Sequence, residues 1–113
     1  MGKPKPLSEY RGMWLFSLFD LPVTEPEKRA DYARFRAALL KLGFVMLQYS
    51  VYARYCASEE STLILRKKIR AALPPEGQVR LLSVTDHQFG KMEVFQGKKR
   101  RDGEKPPEQL LLF

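Results

Sequence analysis

Apolar residues gather along this chain in runs whose spacing predicts an alternation of strands and helices. The run Met13-Trp-Leu-Phe-Ser-Leu-Phe19, between Gly12 and Asp20-Leu-Pro22, is short, aromatic-rich and uninterrupted, the pattern of a buried strand. Both of its faces are apolar: Trp14, Phe16 and Leu18 on one, Met13, Leu15 and Phe19 with Ser17 on the other. Each face needs cover, and the sequence does not say which of them meets the helices. Thr24-Glu-Pro-Glu27 then reads as a helix start, with Thr24 as cap, Pro26 in the first turn and Glu27 closing a capping box. Tyr32, Phe35, Leu39 and Leu42 follow at i, i+3, i+7 and i+10 as one apolar stripe, and Gly43 is the expected C-terminal stop.

Phe44 to Tyr55 has the aromatic and β-branched content of strand, and its length predicts two tightly joined strands with the break near Ser50. Ser58 is the expected cap of a second helix with Leu65, Ile69, Ala72 and Leu73 as its buried stripe, stopped by Pro74-Pro-Glu-Gly77. Gln78 to Thr85 is a further strand, and Phe89-Gly90 is expected to turn into a short one, Met92 to Phe95. The order is β-α-β-β-α-β with an additional short C-terminal strand, an α+β, ferredoxin-like pattern. Residues 1–12 read as an N-terminal extension, 13–96 as the domain, and 97–113 as a flexible basic tail. Because such a sheet carries both helices on one face, its second apolar face predicts burial against a twofold-related copy, a homodimer.

Composition narrows what the domain can be. At 113 residues and 44% hydrophobic the chain is one globular domain's worth, and no apolar run approaches the ~20 residues of a membrane span. With no export signal in MGKPKPLSEYRG, the expected address is the cytoplasm. Twenty Lys and Arg against thirteen Asp and Glu leave +7, which favours a polyanionic partner, nucleic acid before membrane. Lys28, Arg29, Arg34 and Arg36 on the first helix, and Arg66, Lys67, Lys68 and Arg70 on the second, are the candidate phosphate contacts; either set reads equally as a solvated face. The lone Cys56 excludes an internal disulfide and a multi-cysteine zinc site, and fits packing better than a nucleophilic pair with His87. No phosphate-cradling or serine-nucleophile motif is present. Asp20, where the first strand runs out, reads from its position as a turn or capping residue.

The stretches Phe19-Asp20-Leu-Pro-Val23, Phe35-Arg36, Gly43-Phe-Val-Met-Leu-Gln48-Tyr-Ser50-Val51-Tyr52, Leu73-Pro-Pro-Glu-Gly77 and Val84-Thr85 together resemble the Cas-two family of CRISPR-associated proteins, specifically those of type II systems. The resemblance spans roughly residues 13 to 96. It implies a ferredoxin-like homodimer that joins two dimers of the Cas-one integrase and helps hold the double-stranded DNA destined to become a spacer. It also implies, for some members, a metal-dependent nuclease acting on RNA or DNA, with Asp20 as metal ligand and catalytic residue. One carboxylate per chain is too few for Mg²⁺, so that activity would need Asp20 from both subunits. A non-catalytic adaptor is therefore the leading expectation and a Mg²⁺-dependent endonuclease its alternative. An RNA-recognition domain of similar topology is held in reserve, since it would need the open sheet face free.

The chain ends Gln109-Leu-Leu-Leu-Phe113, four large apolar side chains that a merely solvated tail has no reason to carry. Gln109, Leu110, Leu112 and Phe113 are thus expected to dock on the integrase partner or on the other subunit. QLLLF also resembles the pentapeptide with which bacterial proteins bind the replication sliding clamp, a further candidate partner.

Overall fold

Strand β1 (Met13–Asp20) lies in the middle of an antiparallel sheet in the computed structural model, which describes residues 12–101. It pairs on one side with β3 (Val51–Cys56) and on the other with β4 (Gln78–Thr85), while β2 (Val45–Gln48) lies outside β3, giving the order β2-β3-β1-β4. Helices α1 (Pro26–Lys41) and α2 (Glu59–Ala71) connect β1 to β2 and β3 to β4. This is the α+β, ferredoxin-like arrangement predicted from the order of elements.

Alternation along β1 decides the layers, because successive side chains point to opposite faces. Leu15 and Phe19 pack with Phe35 and Leu39 of α1, Leu65 and Ile69 of α2, and Phe44 and Tyr52 in the core between sheet and helices. Phe19 is the hub of its aromatic part, with its ring edge-on to Phe35 at 5.1 Å and stacked on Tyr52 at 5.6 Å. Truncating Leu39 or Ile69, both buried to within 1% of their surface, would cost about 2–5 kcal/mol. The even positions, Trp14, Phe16 and Leu18, turn to the other face, so the face meeting the helices is that of Met13, Leu15, Ser17 and Phe19.

The helix ends show where local signals won and where they lost. The N-cap of α1 is Glu25, without a side-chain capping bond, rather than Thr24. Pro26 sits at the first helical position, and a residue before proline is driven to extended backbone, here φ −123°, ψ 152° at Glu25, which moves the boundary one residue on. At the other end Gly43 takes φ +90°, with Gly43 N–H donating to Leu40 O at 3.0 Å and Phe44 N–H to Leu39 O at 3.0 Å, a Schellman stop. Ser58 caps α2 as expected, its Oγ accepting from Ser61 N–H at 3.2 Å. The buried stripe of α2 is Thr62, Leu65 and Ile69; Ala72 is already the C-cap and Leu73 is 45% exposed, so the stripe lies one turn earlier than the sequence suggested. The strand break falls at Tyr49-Ser50, with Ser50 at φ +62°.

Beyond β4 the chain departs from expectation. Thr85 and Gln88 form a reciprocal capping box that starts α3 (Asp86–Gly90) where a plain turn was predicted. α3 lays Phe89 against Trp14, rings stacked at 4.0 Å, while Trp14 Nε1–H donates to Asp86 Oδ1 at 2.8 Å. One end of the second sheet face is thereby covered from within the chain. The strand expected at Met92 to Phe95 is β5 (Val94–Gln96), and it pairs with β6 (Lys99–Arg101) in a separate two-stranded sheet turning at Gly97, φ +66°. Regular structure therefore runs past residue 97, where the tail was expected to begin, and Gly12, whose carbonyl accepts from Asp86 N–H at 3.0 Å, belongs to the domain. Among the described residues no helix is long and apolar enough to cross a membrane. Gln109, Leu110, Leu112 and Phe113 lie outside the described residues.

Candidate nucleic-acid interface

Asp20 is the last residue of β1, exposed, and opposite Gln78 in the β4 register. Its place is held from below by the loop that follows α2. A methyl group at Gly77 would lie 2.8 Å from the Asp20 carbonyl oxygen and 2.6 Å from a Leu21 methyl, so only a glycine allows this approach. As an even-numbered position, Asp20 shares its face of the sheet with Phe16 and Leu18 of β1, Leu82 and Arg80 of β4, and Val51 of β3. Phe16 is only half-buried there and Leu82 is 53% exposed. The face turned away from α1 and α2 is thus apolar in its middle, closed by Phe89 of α3 at one end and carrying Asp20 at the other.

Mg²⁺ takes six oxygens, and its protein sites supply one or two carboxylates. Among the described residues no group of three or more His, Cys, Asp and Glu side chains could hold a metal, and Asp20 offers one carboxylate. A single protomer thus offers Mg²⁺ one carboxylate with no second protein ligand clustered beside it among the described residues, and no chemical step through a metal is derived from it. His87 lies exposed on α3, and Cys56 is buried, its thiol pushed above the ordinary value by that burial, as suits packing rather than nucleophilic chemistry.

The eight candidate cations all lie on the two helices of the layer opposite the apolar face, and their surroundings divide them. Lys28 is paired with Glu76 at 3.2 Å and with Glu25 at 4.0 Å, and the hydrogen bond it donates to Glu76, ahead of the charge of Glu25, holds its ammonium above the usual range. Arg34 is paired with Asp31. Arg29 donates to the Val23 carbonyl at 3.2 Å, Arg36 Nε to the buried Tyr52 hydroxyl at 2.7 Å, and Arg66 Nη2 to Ser83 Oγ at 2.6 Å. Each of these three keeps further N–H donors, since a guanidinium has five. Lys67, Lys68 and Arg70 are exposed on α2 and make no ion pair among the described residues. The α2 set and the three arginines with neutral partners are therefore better placed for phosphate than Lys28 and Arg34, whose charge is already answered.

Two features escaped the sequence reading. Tyr49, 70% exposed at the β2–β3 turn, stacks on Tyr32 of α1, and Gly77 sets the position of Asp20. An aromatic in a two-residue turn was the available signal for the first; the second depends on a contact between segments 57 residues apart in sequence, which no local pattern contains.

Comparison with known proteins agrees with this architecture. The family model described as CRISPR associated protein Cas2 matches residues 13–92, the span holding both cores and Asp20. A protein of Parvibaculum lavamentivorans is 50% identical over 101 residues, covering 89% of this chain and 100% of its own length. One of Flavobacterium psychrophilum is 44% identical over 107 residues, covering 95% of this chain and 93% of its own. Both bear the name CRISPR-associated endoribonuclease Cas2. With its β-α-β-β-α-β order and likeness along almost its whole length, the chain belongs to the CRISPR-associated Cas2 family.

Proposed function

We propose that the protein is a homodimeric DNA-binding adaptor that bridges dimers of the Cas-one integrase during spacer acquisition. The observation that carries this reading is the division of the molecule into two unlike layers: an open apolar sheet face around Phe16, Leu18 and Leu82, and a helix layer bearing all eight candidate cations. The first suits a second copy of the chain, because an apolar patch of this kind is otherwise left to water. The second then faces outward on both protomers, and a net charge of +7 per chain supplies sequence-independent attraction to the phosphates of double-stranded DNA. Two further features suit a dimer. Among the described residues the outer edge of β4 has no strand beside it and the β5–β6 hairpin joins no larger sheet, an arrangement of marginal stability alone.

A second reading is a metal-dependent endonuclease acting on RNA or DNA: the relatives' name, endoribonuclease, favours a nuclease of RNA, and the location of Asp20 suits a metal ligand. Since Asp20 shares the face with Phe16 and Leu18, face-to-face pairing of two protomers would place two Asp20 carboxylates on one interface, the donor pair that Mg²⁺ would need.

Reconstitution of the full chain with its integrase partner and a duplex tests the adaptor. A ternary complex is expected, and Asp20→Asn is expected to leave both that complex and spacer acquisition intact. If Asp20→Asn stops acquisition while dimer and complex still form, metal binding or catalysis is essential and the adaptor alone does not account for the function. A monomeric mass at micromolar concentration would refute the dimer.

A further inference from the structure

The β2–β3 turn carries a largely exposed aromatic. Tyr49 is 70% exposed, and one face of its ring lies on Tyr32, centroids 5.8 Å apart and planes 15° from parallel. Tyr32 is in turn fixed from beneath by Phe19 at 5.7 Å and laterally by a hydrogen bond between its hydroxyl and Ser50 Oγ at 3.3 Å. The turn itself is tied to the end of β1, Phe19 N–H donating to Ser50 O at 3.1 Å. Tyr49 is thus the outer leaf of a stack whose inner leaf is anchored in the core, a prearranged flat surface. The helix behind the stack carries cations on the same side: Arg29 and Arg36 stand three residues before and four after Tyr32 on α1. Both guanidiniums are oriented by a single neutral acceptor, Val23 O and the Tyr52 hydroxyl, and retain donors for phosphate.

A flat aromatic surface stacked on a residue whose helix side also carries two arginines matches one ligand chemistry, a nucleobase whose π-face is free and whose phosphates can turn to guanidiniums. Bases inside a duplex have both faces occupied, so the ligand must be unpaired. We propose that Tyr49, backed by Tyr32, is a stacking platform for an unpaired nucleotide of a DNA or RNA strand, with Arg29 and Arg36 holding the adjoining phosphates. This rests on the nucleic-acid-binding reading above and adds to it a contact for single strands.

The test uses the full-length protein and three probes: a single-stranded DNA carrying 2-aminopurine, an RNA of the same sequence, and a blunt duplex. Stacking is expected to quench 2-aminopurine in at least one single strand. Tyr49→Ala should weaken binding to that strand about tenfold, while Tyr49→Phe keeps the affinity and duplex binding is unchanged in both variants. The DNA and RNA arms identify which strand is taken. Because Tyr49 is exposed, Tyr49→Ala should match the parent's circular dichroism and melting. The proposal is overturned if the parent binds neither single strand, or if Tyr49→Ala binds both as the parent does, which would leave the platform to a protein partner. Duplex binding by the parent reports on the adaptor reading separately, so its loss with Tyr49-dependent single-strand binding intact would sink that reading and not this one.

Discussion

Replacing Gly77 with alanine adds one methyl group where the loop after α2 passes beneath the end of β1. Two costs arise together. The backbone at φ +98° lies in the region that L-residues avoid, worth about 1–2 kcal/mol. The new Cβ would also stand 2.6 Å from Leu21 Cδ2 and 2.8 Å from the Asp20 carbonyl oxygen. The Leu21 methyl can swing aside, but a backbone oxygen in a strand cannot, and overpacking of this kind costs about 1–3 kcal/mol. The sum is about 2–5 kcal/mol against a typical domain stability of about 5–15 kcal/mol. At about 4–8 °C per kcal/mol for a domain of this size, the midpoint should fall by at least about 8 °C. Two other glycines separate the contributions. Gly97, at φ +66° with nothing within 4 Å of a would-be Cβ, carries backbone strain alone, so Gly97→Ala should cost about 1–2 kcal/mol at most. Gly90 has neither strain nor neighbours, so Gly90→Ala should be no worse than the parent. Urea and thermal unfolding followed by circular dichroism would rank the three. If Gly77→Ala lies within about 0.5 kcal/mol of Gly97→Ala, the close approach does not exist and Asp20 is not positioned from below.

The two faces of β1 should answer differently to a charge. Leu15→Glu buries an unpaired carboxylate between sheet and helices and should abolish folding, whereas Leu82→Glu on the open face should leave a folded protein whose mass in light scattering is monomeric; a folded Leu15→Glu or a dimeric Leu82→Glu would contradict this. Ser17 is fully buried and its hydroxyl has no partner among the described residues, so Ser17→Ala should hold or raise the unfolding free energy measured in urea, by up to about 1 kcal/mol, and a clear loss would show an unseen partner. The buried Cys56 thiol has its ionisation raised by desolvation above the ordinary value of 9.0, so the stability it contributes is present below that pH and lost as pH rises through the folded value. Urea midpoints at pH 8 and pH 10 should therefore differ more in the parent than in Cys56→Ala, and labelling of the native thiol at pH 8 as fast as a free cysteine would refute the burial. Neutralising Lys67, Lys68 and Arg70 should lower the salt slope of duplex binding by roughly one for each phosphate-binding cation removed, and more than neutralising the acid-paired Lys28 and Arg34; equal slopes would place DNA elsewhere.

Much of the architecture was legible because it rests on local rules. The stripe Tyr32, Phe35, Leu39 and Leu42, the stop at Gly43, the Ser58 cap and the break at Tyr49-Ser50 are each set by periodicity, backbone sterics or a hydrogen bond within a few residues. Asp20 was legible as a strand end, and the family was legible through FDLP and LQYSVY at their spacing. Tertiary structure alone decided the rest. Which face of β1 meets the helices depends on the hand of the crossovers, since both faces are apolar and alternation cannot rank them. That Phe89 covers Trp14, that Glu76 and Asp31 answer Lys28 and Arg34, and that Gly77 supports Asp20 are contacts set by how distant or separately folded segments meet, so a charge run read along the chain could not reveal which cations remain available. Periodicity records what a residue must bury; only the packed chain determines against what.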